Sequence, residues 1–157
     1  MTRAVYDTMV FFQWATLPPQ QPERQHATVT ALVNKAIRLC LSPELVLEIR
    51  NVLLRPELQA KYKTLTREHV AGILSQARIF ADWFEKVPRH FTLSSHPKDD
   101  HILNLAIESK AEYLVTWEGR ILKLLSDTTA EAEQFRILAP QLKIVTPKGL
   151  AERLKTM

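Results

Sequence analysis

The chain has 157 residues, of which 46% are apolar and 24% are charged, as expected for a globular domain with one sizeable core. Its single cysteine, Cys40, excludes an internal disulfide and fits a reducing cytosol. The net charge of +4 leans mildly towards anionic partners.

The N-terminal segment lacks the pattern of a signal peptide. Asp7 and Gln13 interrupt its apolar run, and Pro18 and Pro19 follow without a small-residue cleavage site. No stretch approaches the ~20 apolar residues of a membrane span. We therefore expect a cytoplasmic protein that does not enter a membrane and that forms a single domain over residues 1–157.

The first half of the chain alternates between strand and helix signals. In chain order it predicts a strand over Arg3–Tyr6, a helix starting after Asp7, a Pro/Gln loop over 17–23, a helix over 26–35 and a strand over 36–42. A strongly marked helix over 42–58 follows, with Ser42 as its cap, Pro43 in its first turn and Pro56 ending it.

The second half continues the alternation. A long helix over 65–87, capped by Thr66, carries apolar residues at spacings of three and four. After an extended stretch, the pattern predicts a helix over 99–110, a strand over 111–116, a short helix over 119–126, a strand over 142–146 and a terminal helix over 147–155. This order predicts an α/β three-layer sandwich with a central parallel sheet of about four to five strands flanked by helices.

Several phosphate chemistries do not fit the sequence. Only three glycines are present, so neither GxGxxG nor GxxxxGK[ST] can form a phosphate-binding loop. An Asp-nucleophile phosphatase requires a second Asp two positions after the first, where Met9 stands. A receiver domain requires an acidic pair at the end of the first strand, which offers only Asp7.

Acidic residues recur where a site is expected. In open parallel sheets, sites form beyond the carboxyl ends of the strands. Asp7 and the 116–118 stretch lie at two such ends, and Asp99 begins the helix before one of these strands. Each acid also has a simpler interpretation, because Asp7 and Asp99 suit helix caps and Glu118 suits the positive end of a helix dipole.

Helical periodicity separates two neighbouring acids. At 100° per residue, Asp99 lies on the apolar face of the 99–110 helix, whereas Asp100 and His101 fall on its polar side. We therefore expect Asp99 to face the interior, and Asp100 and His101 to face solvent. Glu48 lies at the edge of the apolar stripe of its own helix, where it can either reach a crevice or stay at the surface.

Four segments resemble, in the same order, the successive blocks of PIN-domain proteins: VYDTMVF, SPELVLEIRNVLLRPEL, HPKDDHILNLAIESKAEYLVTWEGRILKL and LKIVTPKGLAERL. The likeness extends in particular to the toxin group of VapC-like ribonucleases. It implies the parallel α/β fold, endonucleolytic cleavage of RNA, a role as the toxin of a toxin–antitoxin pair, a small antitoxin partner and homodimerisation.

The resemblance also assigns a site. It implies that Asp7 and Asp99 are the main ligands of Mg²⁺ or Mn²⁺, with Glu48 and Glu118 as direct or water-mediated ligands. Thr116 would orient a carboxylate or a water. Clustered carboxylates repel each other unless a cation is present, and a bound divalent ion can activate water towards a phosphodiester.

A positive rim would draw RNA towards such an acidic pocket. The candidates, each of which can also be a solvated charge or a packing residue, are Arg50, Arg55, Lys98, Arg120 and Lys123, with Trp117 for base stacking. Met9 and Glu118 depart from the family pattern, which has Asn or Ser and Asp there, and these departures imply reduced activity. The alternative is a PIN-like module that binds RNA or a protein without cleaving.

Overall fold

The computed structural model describes residues 2–17 and 27–156. Within them, five strands form one sheet: β1 (Arg3–Tyr6), β2 (Arg38–Leu41), β3 (Ala81–Trp83), β4 (Tyr113–Val115) and β5 (Lys143–Val145). Their order across the sheet is β3-β2-β1-β4-β5, and every neighbouring pair is parallel. The predicted α/β class with a central parallel sheet is therefore confirmed.

The helices lie along the connections between strands. They are α1 (Thr8–Ala15), α2 (Ala27–Val33), α3 (Pro43–Leu53), α4 (Pro56–Lys61), α5 (Arg67–Ile79), α6 (Asp100–Ser109), α7 (Gly119–Leu122), α8 (Ala130–Leu138) and α9 (Pro147–Leu154). Helix α6 packs against β1 and β2, and α9 packs against β4 and β5. No helix of the described residues has both the length and the apolar character needed to cross a bilayer.

The central strands form the core of the sheet. Side chains of β1, β2 and β4 are almost all buried, which is the pattern of a parallel sheet covered on both faces. Parallel strands that start at one edge also end at one edge, so the residues that follow β1 and β4 lie side by side. This arrangement places the acidic stretches of the sequence together.

Two predicted helices have different bounds in the structure. The helix predicted over 65–87 is wrong beyond Ile79, because the chain then forms β3, which pairs with β2 in the register Leu39↔Ala81. The helix predicted over 42–58 is two helices, since α3 ends at Leu53 and Pro56 begins α4. Helix α8 was not predicted, and the loop predicted over 17–23 lies, apart from residue 17, outside the described residues.

An ion-pair cluster joins three neighbouring strands. Asp82 on β3 accepts from Arg38 Nε on β2 at 2.8 Å and from Arg3 Nε on β1 at 3.1 Å. Hydrogen bonds from Arg38, helped by those from Arg3, hold the pKa of Asp82 below its usual range against a smaller opposing effect of burial. Because all three side chains are partly exposed, solvent screens the cluster and limits its contribution.

The Asp82→Asn variant should lower the melting temperature at pH 7, with a loss of about 1 kcal/mol or less in the free energy of unfolding. A carboxyl whose pKa is lower in the folded state than in the unfolded state, where it is ~3.9, stabilises the fold at pH values above ~3.9. This stabilisation disappears as the pH falls through the folded-state pKa. The difference from wild type should therefore shrink below pH ~3 in thermal melts. A difference that stays constant as the pH is lowered from 7 to ~2 would contradict the assigned ion pairs.

Candidate active site

The candidate site forms where β1 and β4 end. The backbone N–H of Asp7 donates to the carbonyl of Val115 at 3.0 Å, so the chain leaves β1 beside the end of β4. One carboxylate oxygen of Asp7 accepts the Thr8 N–H at 2.7 Å and caps α1. The other accepts the Thr116 hydroxyl at 2.6 Å. Asp7 is thus both a helix cap and a carboxylate held by a neighbouring strand.

Thr116 is the most enclosed polar residue of this group. Its side chain is buried, and its backbone N–H donates to the carbonyl of Val145 at 2.9 Å, which continues the pairing of β4 with β5. Its hydroxyl donates to Asp7 and accepts the backbone N–H of Glu118 at 3.0 Å. One hydroxyl therefore fixes both the Asp7 carboxylate and the start of the Glu118 segment.

Asp99 lies at the cap position of α6 without acting as a cap. Its side chain makes no capping hydrogen bond, and its Oδ2 atom is buried with no hydrogen-bond partner among the described residues. Burial raises the pKa of Asp99, and the negative charges of Asp7 and Glu118 raise it further. Arg120 and His96 oppose this shift without cancelling it. Helix capping does not account for this carboxylate.

Asp7 experiences similar crowding. Burial raises its pKa, and the hydrogen bonds from Thr116 and Thr8 only partly offset the increase. The charges of Glu48 and Glu118 add to it. Asp7 and Asp99 are therefore two carboxylates whose pKa values are raised in the metal-free protein, as expected where like charges converge.

Glu48, in contrast, has its charge well satisfied. It extends from α3 and accepts hydrogen bonds from the Thr8 hydroxyl and from His101 Nε2, the latter at 3.2 Å from Oε1. Burial raises the pKa of Glu48, but the hydrogen bonds from His101 and Thr8 outweigh it and leave the pKa below its usual value. Glu48 is tied to the site through α1 and α6.

Glu118 lies on the solvent-exposed side of the acidic group formed by Asp7, Asp99 and Glu48. It stands at the cap position of α7 without a capping hydrogen bond, and its Oε1 lies 3.3 Å from Arg120 Nε. Both side chains remain partly exposed, so this pair can rearrange at low cost.

The prediction that Asp100 and His101 face solvent is wrong. Asp100 is 4% exposed and accepts the backbone N–H of Leu93 at 2.8 Å, and the His101 side chain is 9% exposed. The cause is the extended segment before α6, which covers this side of the helix. Asn104, on the same side, accepts from His90 N–H at 2.8 Å. The polar side chains on this face of α6 therefore hydrogen-bond to the backbone of that segment instead of to water.

The basic candidates are spread more widely. Arg120 pairs with Glu118, and the charge of Arg55 lies close enough to Glu48 to lower its pKa. Arg50 lines a different groove, between α3 and α5, with Arg67. The remaining candidates are exposed, and they are Lys98, Lys123 and Trp117, the last at 46%.

Sequence reasoning missed Thr8 as a member of the site. Thr8 donates its hydroxyl to Glu48 and its N–H to Asp7, which joins two of the acids. Its place directly after the strand-ending Asp7 was the available signal. His101 was assigned to the surface because its contact with Glu48 depends on how α3 packs against α6, which periodicity within one helix does not reveal.

The donor set suits a hard divalent cation. Asp7, Asp99 and Glu118 offer carboxylate oxygens, which Mg²⁺ and Mn²⁺ accept. The buried Oδ2 of Asp99, which has no hydrogen-bond partner in the described part of the chain, is an acceptor that a cation would satisfy. Among the described residues, no three His, Cys, Asp or Glu side chains are grouped closely enough to hold an ion as they stand. The residue types therefore suit a divalent metal ion, and the acidic side chains would have to move closer together to bind it.

The described residues form a parallel α/β domain with acidic side chains gathered at the carboxyl edge of its sheet. The PIN domain profile matches residues 3–120, from β1 into the start of α7, and the chain belongs to the PIN-domain family. Members of this family are generally nucleases. No curated protein matches the chain significantly.

Alanine substitutions at the adjacent acids Asp99 and Asp100 should have different effects on metal-free stability. Asp100→Ala leaves the buried Leu93 N–H without its acceptor and should cost about 1–3 kcal/mol in the free energy of unfolding. Asp99→Ala removes a crowded carboxylate and should leave that free energy unchanged or raised.

Denaturant unfolding measures both effects. A raised folded-state pKa at Asp99 means that its ionisation opposes folding as pH rises above ~4, so the advantage of Asp99→Ala should grow over that range. Equal losses from both substitutions would show that Asp99 is a structural residue like Asp100.

Proposed function

We propose that the protein is a metal-dependent endoribonuclease of the cytoplasm that acts as the toxin of a toxin–antitoxin pair. Membership of the PIN-domain family supports the nuclease activity. The likeness to VapC-like ribonucleases supports RNA as the substrate and the toxin role. The same likeness supports a small antitoxin protein and a second copy of the chain as partners.

The observation that carries this proposal is the crowding around Asp99. Its buried Oδ2 has no partner in the described part of the chain, and the charges of Asp7 and Glu118 raise its pKa. A fold gains nothing from packing like charges together in this way. A bound cation would relieve this repulsion, so the carboxylates that destabilise the metal-free fold would act as its ligands.

Asp7 and Asp99 would hold the ion, and Glu118 would join them after leaving Arg120. Glu48 would act through a water or through Thr8, because its oxygens already accept from Thr8 and His101. When bound, Mg²⁺ or Mn²⁺ would make a bound water a better nucleophile and stabilise the negative charge that develops on the phosphodiester. Thr116 would keep the Asp7 carboxylate in one orientation throughout.

Substitutions at Asp7 and Thr116 should reduce cleavage to different degrees. Loss of a group that only orients a metal ligand typically costs ~10–100-fold, and we expect Thr116→Val to fall in that range. Asp7→Asn should cost more, because it removes a ligand charge. Initial rates on a mixed-sequence RNA, measured against Mn²⁺ concentration, test both. Asp127→Asn is the matched control, since Asp127 is exposed and Asn can still accept from the Thr128 N–H.

The same variants test metal binding without cleavage. Mn²⁺ should raise the melting temperature of the wild type, and Asp7→Asn should reduce that rise. A wild-type protein that is stabilised by Mn²⁺ but cleaves no RNA would overturn the nuclease and leave the non-cleaving binding module. A melting temperature that does not respond to millimolar Mn²⁺ would overturn the metal site itself.

Met9→Asn should raise activity above wild type. Met9 stands two residues after Asp7, where the family pattern has Asn or Ser, and its side chain is 45% exposed and has no polar hydrogen to donate. An amide there would restore the hydrogen-bond donor that the family pattern has two residues after Asp7, and such contacts are typically worth ~10–100-fold in metal affinity or rate. The gain should be abolished when Asp7→Asn is added. A gain that survives this second substitution would come from a contaminating nuclease.

A further inference from the structure

One histidine links two helices at the edge of the acidic group. His101 lies on α6, two positions after Asp99, and its Nε2 atom lies 3.2 Å from Oε1 of Glu48 on α3. The other oxygen of Glu48, Oε2, accepts the hydroxyl of Thr8 on α1. Side chains from two other helices therefore contact both oxygens of this one carboxylate.

The His101 side chain is buried far more than the carboxylate it contacts. It is 9% exposed, whereas the side chain of Glu48 is 34% exposed. The second ring nitrogen, Nδ1, is buried and has no hydrogen-bond partner within the described residues. A buried polar atom without a partner costs free energy, and an apolar side chain of similar size would avoid that cost. The stability of the fold therefore does not account for a histidine at this position.

The surroundings of His101 restrict the movement of its helix. The residue before it, Asp100, accepts the N–H of Leu93 at 2.8 Å. Asn104, about one turn further along α6, accepts the N–H of Phe91 at 2.9 Å. These bonds hold α6 against the extended segment that covers it. The imidazole is therefore a well-fixed donor beside a partly exposed carboxylate.

Glu48 requires a fixed donor because a second interaction competes for it. Thr8 holds only one of its two oxygens, so the carboxylate can still turn about that contact. The charge of Arg55 also acts on Glu48. Without His101, the carboxylate is free to turn towards solvent and Arg55. His101 thus keeps Glu48 directed towards the other acids.

We propose that His101 is a positioning residue, which holds the Glu48 carboxylate in the orientation that supports a bound divalent ion. The inference rests on the metal-dependent ribonuclease proposed above and adds to it the residue that orients Glu48. Loss of such an outer partner typically costs ~10–100-fold in metal affinity or activity. Because the N–H donor is needed and not the ring itself, glutamine should replace histidine here, whereas methionine should not.

The direct test is Mn²⁺ binding to variants that keep or remove the donor. His101→Met has a similar volume and no polar hydrogen, whereas His101→Gln keeps an N–H group at a similar distance from the backbone. In calorimetric titrations, the Mn²⁺ dissociation constant should rise about 10–100-fold in His101→Met and stay near the wild-type value in His101→Gln. The Mn²⁺ concentration that gives half-maximal RNA cleavage should rise by the same factor, with a smaller change in the rate at saturating Mn²⁺.

Stability without metal separates positioning from packing. In urea unfolding with EDTA, His101→Met should be at least as stable as the wild type, because it removes a buried ring nitrogen that has no partner in the described ranges. Glu48, which loses a donor, is partly exposed, so water can replace that donor. A large loss of stability in His101→Met, together with equally weakened Mn²⁺ binding in His101→Gln, would overturn the proposal in favour of a packing role.

His90→Met is the matched control. His90 forms the same type of pair with Glu108, at 3.1 Å between Nε2 and Oε2, but both side chains are partly exposed and neither belongs to the acidic group. The bond from His90 to Asn104 uses the backbone N–H and survives the substitution. We expect no change in Mn²⁺ affinity. Equal losses from His90→Met and His101→Met would overturn the proposal.

The outcomes separate this inference from the nuclease. An unchanged Mn²⁺ affinity in His101→Met would overturn the positioning role even if the protein cleaves RNA. A loss of affinity in His101→Met that is absent in His101→Gln supports the positioning role even if no RNA is cleaved. A wild-type protein that binds no Mn²⁺ would overturn the metal site, and this inference with it.

Discussion

The hydrogen bond from Thr116 to Asp7 is the contact on which the candidate site depends. It joins the ends of two neighbouring parallel strands, and it fixes one oxygen of Asp7 while the Thr8 N–H fixes the other. Because the Thr116 hydroxyl also accepts from the Glu118 N–H, the position of Glu118 follows from the same contact. The pairing of β1 with β4 thus fixes the position of the Asp7 carboxylate and, through Thr116, that of the Glu118 segment.

The segment between β3 and α6 has a comparable role on the other side of the site. It forms no strand, so its backbone groups need partners from side chains. Asp100 and Asn104 provide them, and the result is a polar helix face that is buried instead of solvated. This packing encloses the His101 side chain. Two adjacent acids therefore have different physical roles, because Asp100 accepts the Leu93 N–H whereas the buried Oδ2 of Asp99 has no hydrogen-bond partner within residues 2–17 and 27–156.

Much of the fold could be predicted from local signals. The predicted capping residues Ser42 and Thr66 begin helices where the pattern placed them, and the terminal helix begins at Pro147 as predicted. The apolar runs of β1, β2 and β4 are buried strands. The errors at β3 and at His101 have one cause, which is contact with a distant part of the chain. β3 is a strand because it pairs with β2, although its sequence continues the apolar spacing of α5. His101 is enclosed because other segments cover it, and nothing within α6 signals that cover.

The contact between Thr116 and Asp7 joins residues 109 positions apart. Chains are synthesised from the N-terminus, so Asp7 leaves the ribosome long before β4 and Thr116 exist. Until then the hydrogen bond that holds Asp7 against β4 cannot form, whatever local structure β1 and β2 have formed. The candidate site therefore forms only once the chain has been synthesised beyond Thr116, and shorter nascent chains that already carry Asp7 lack it.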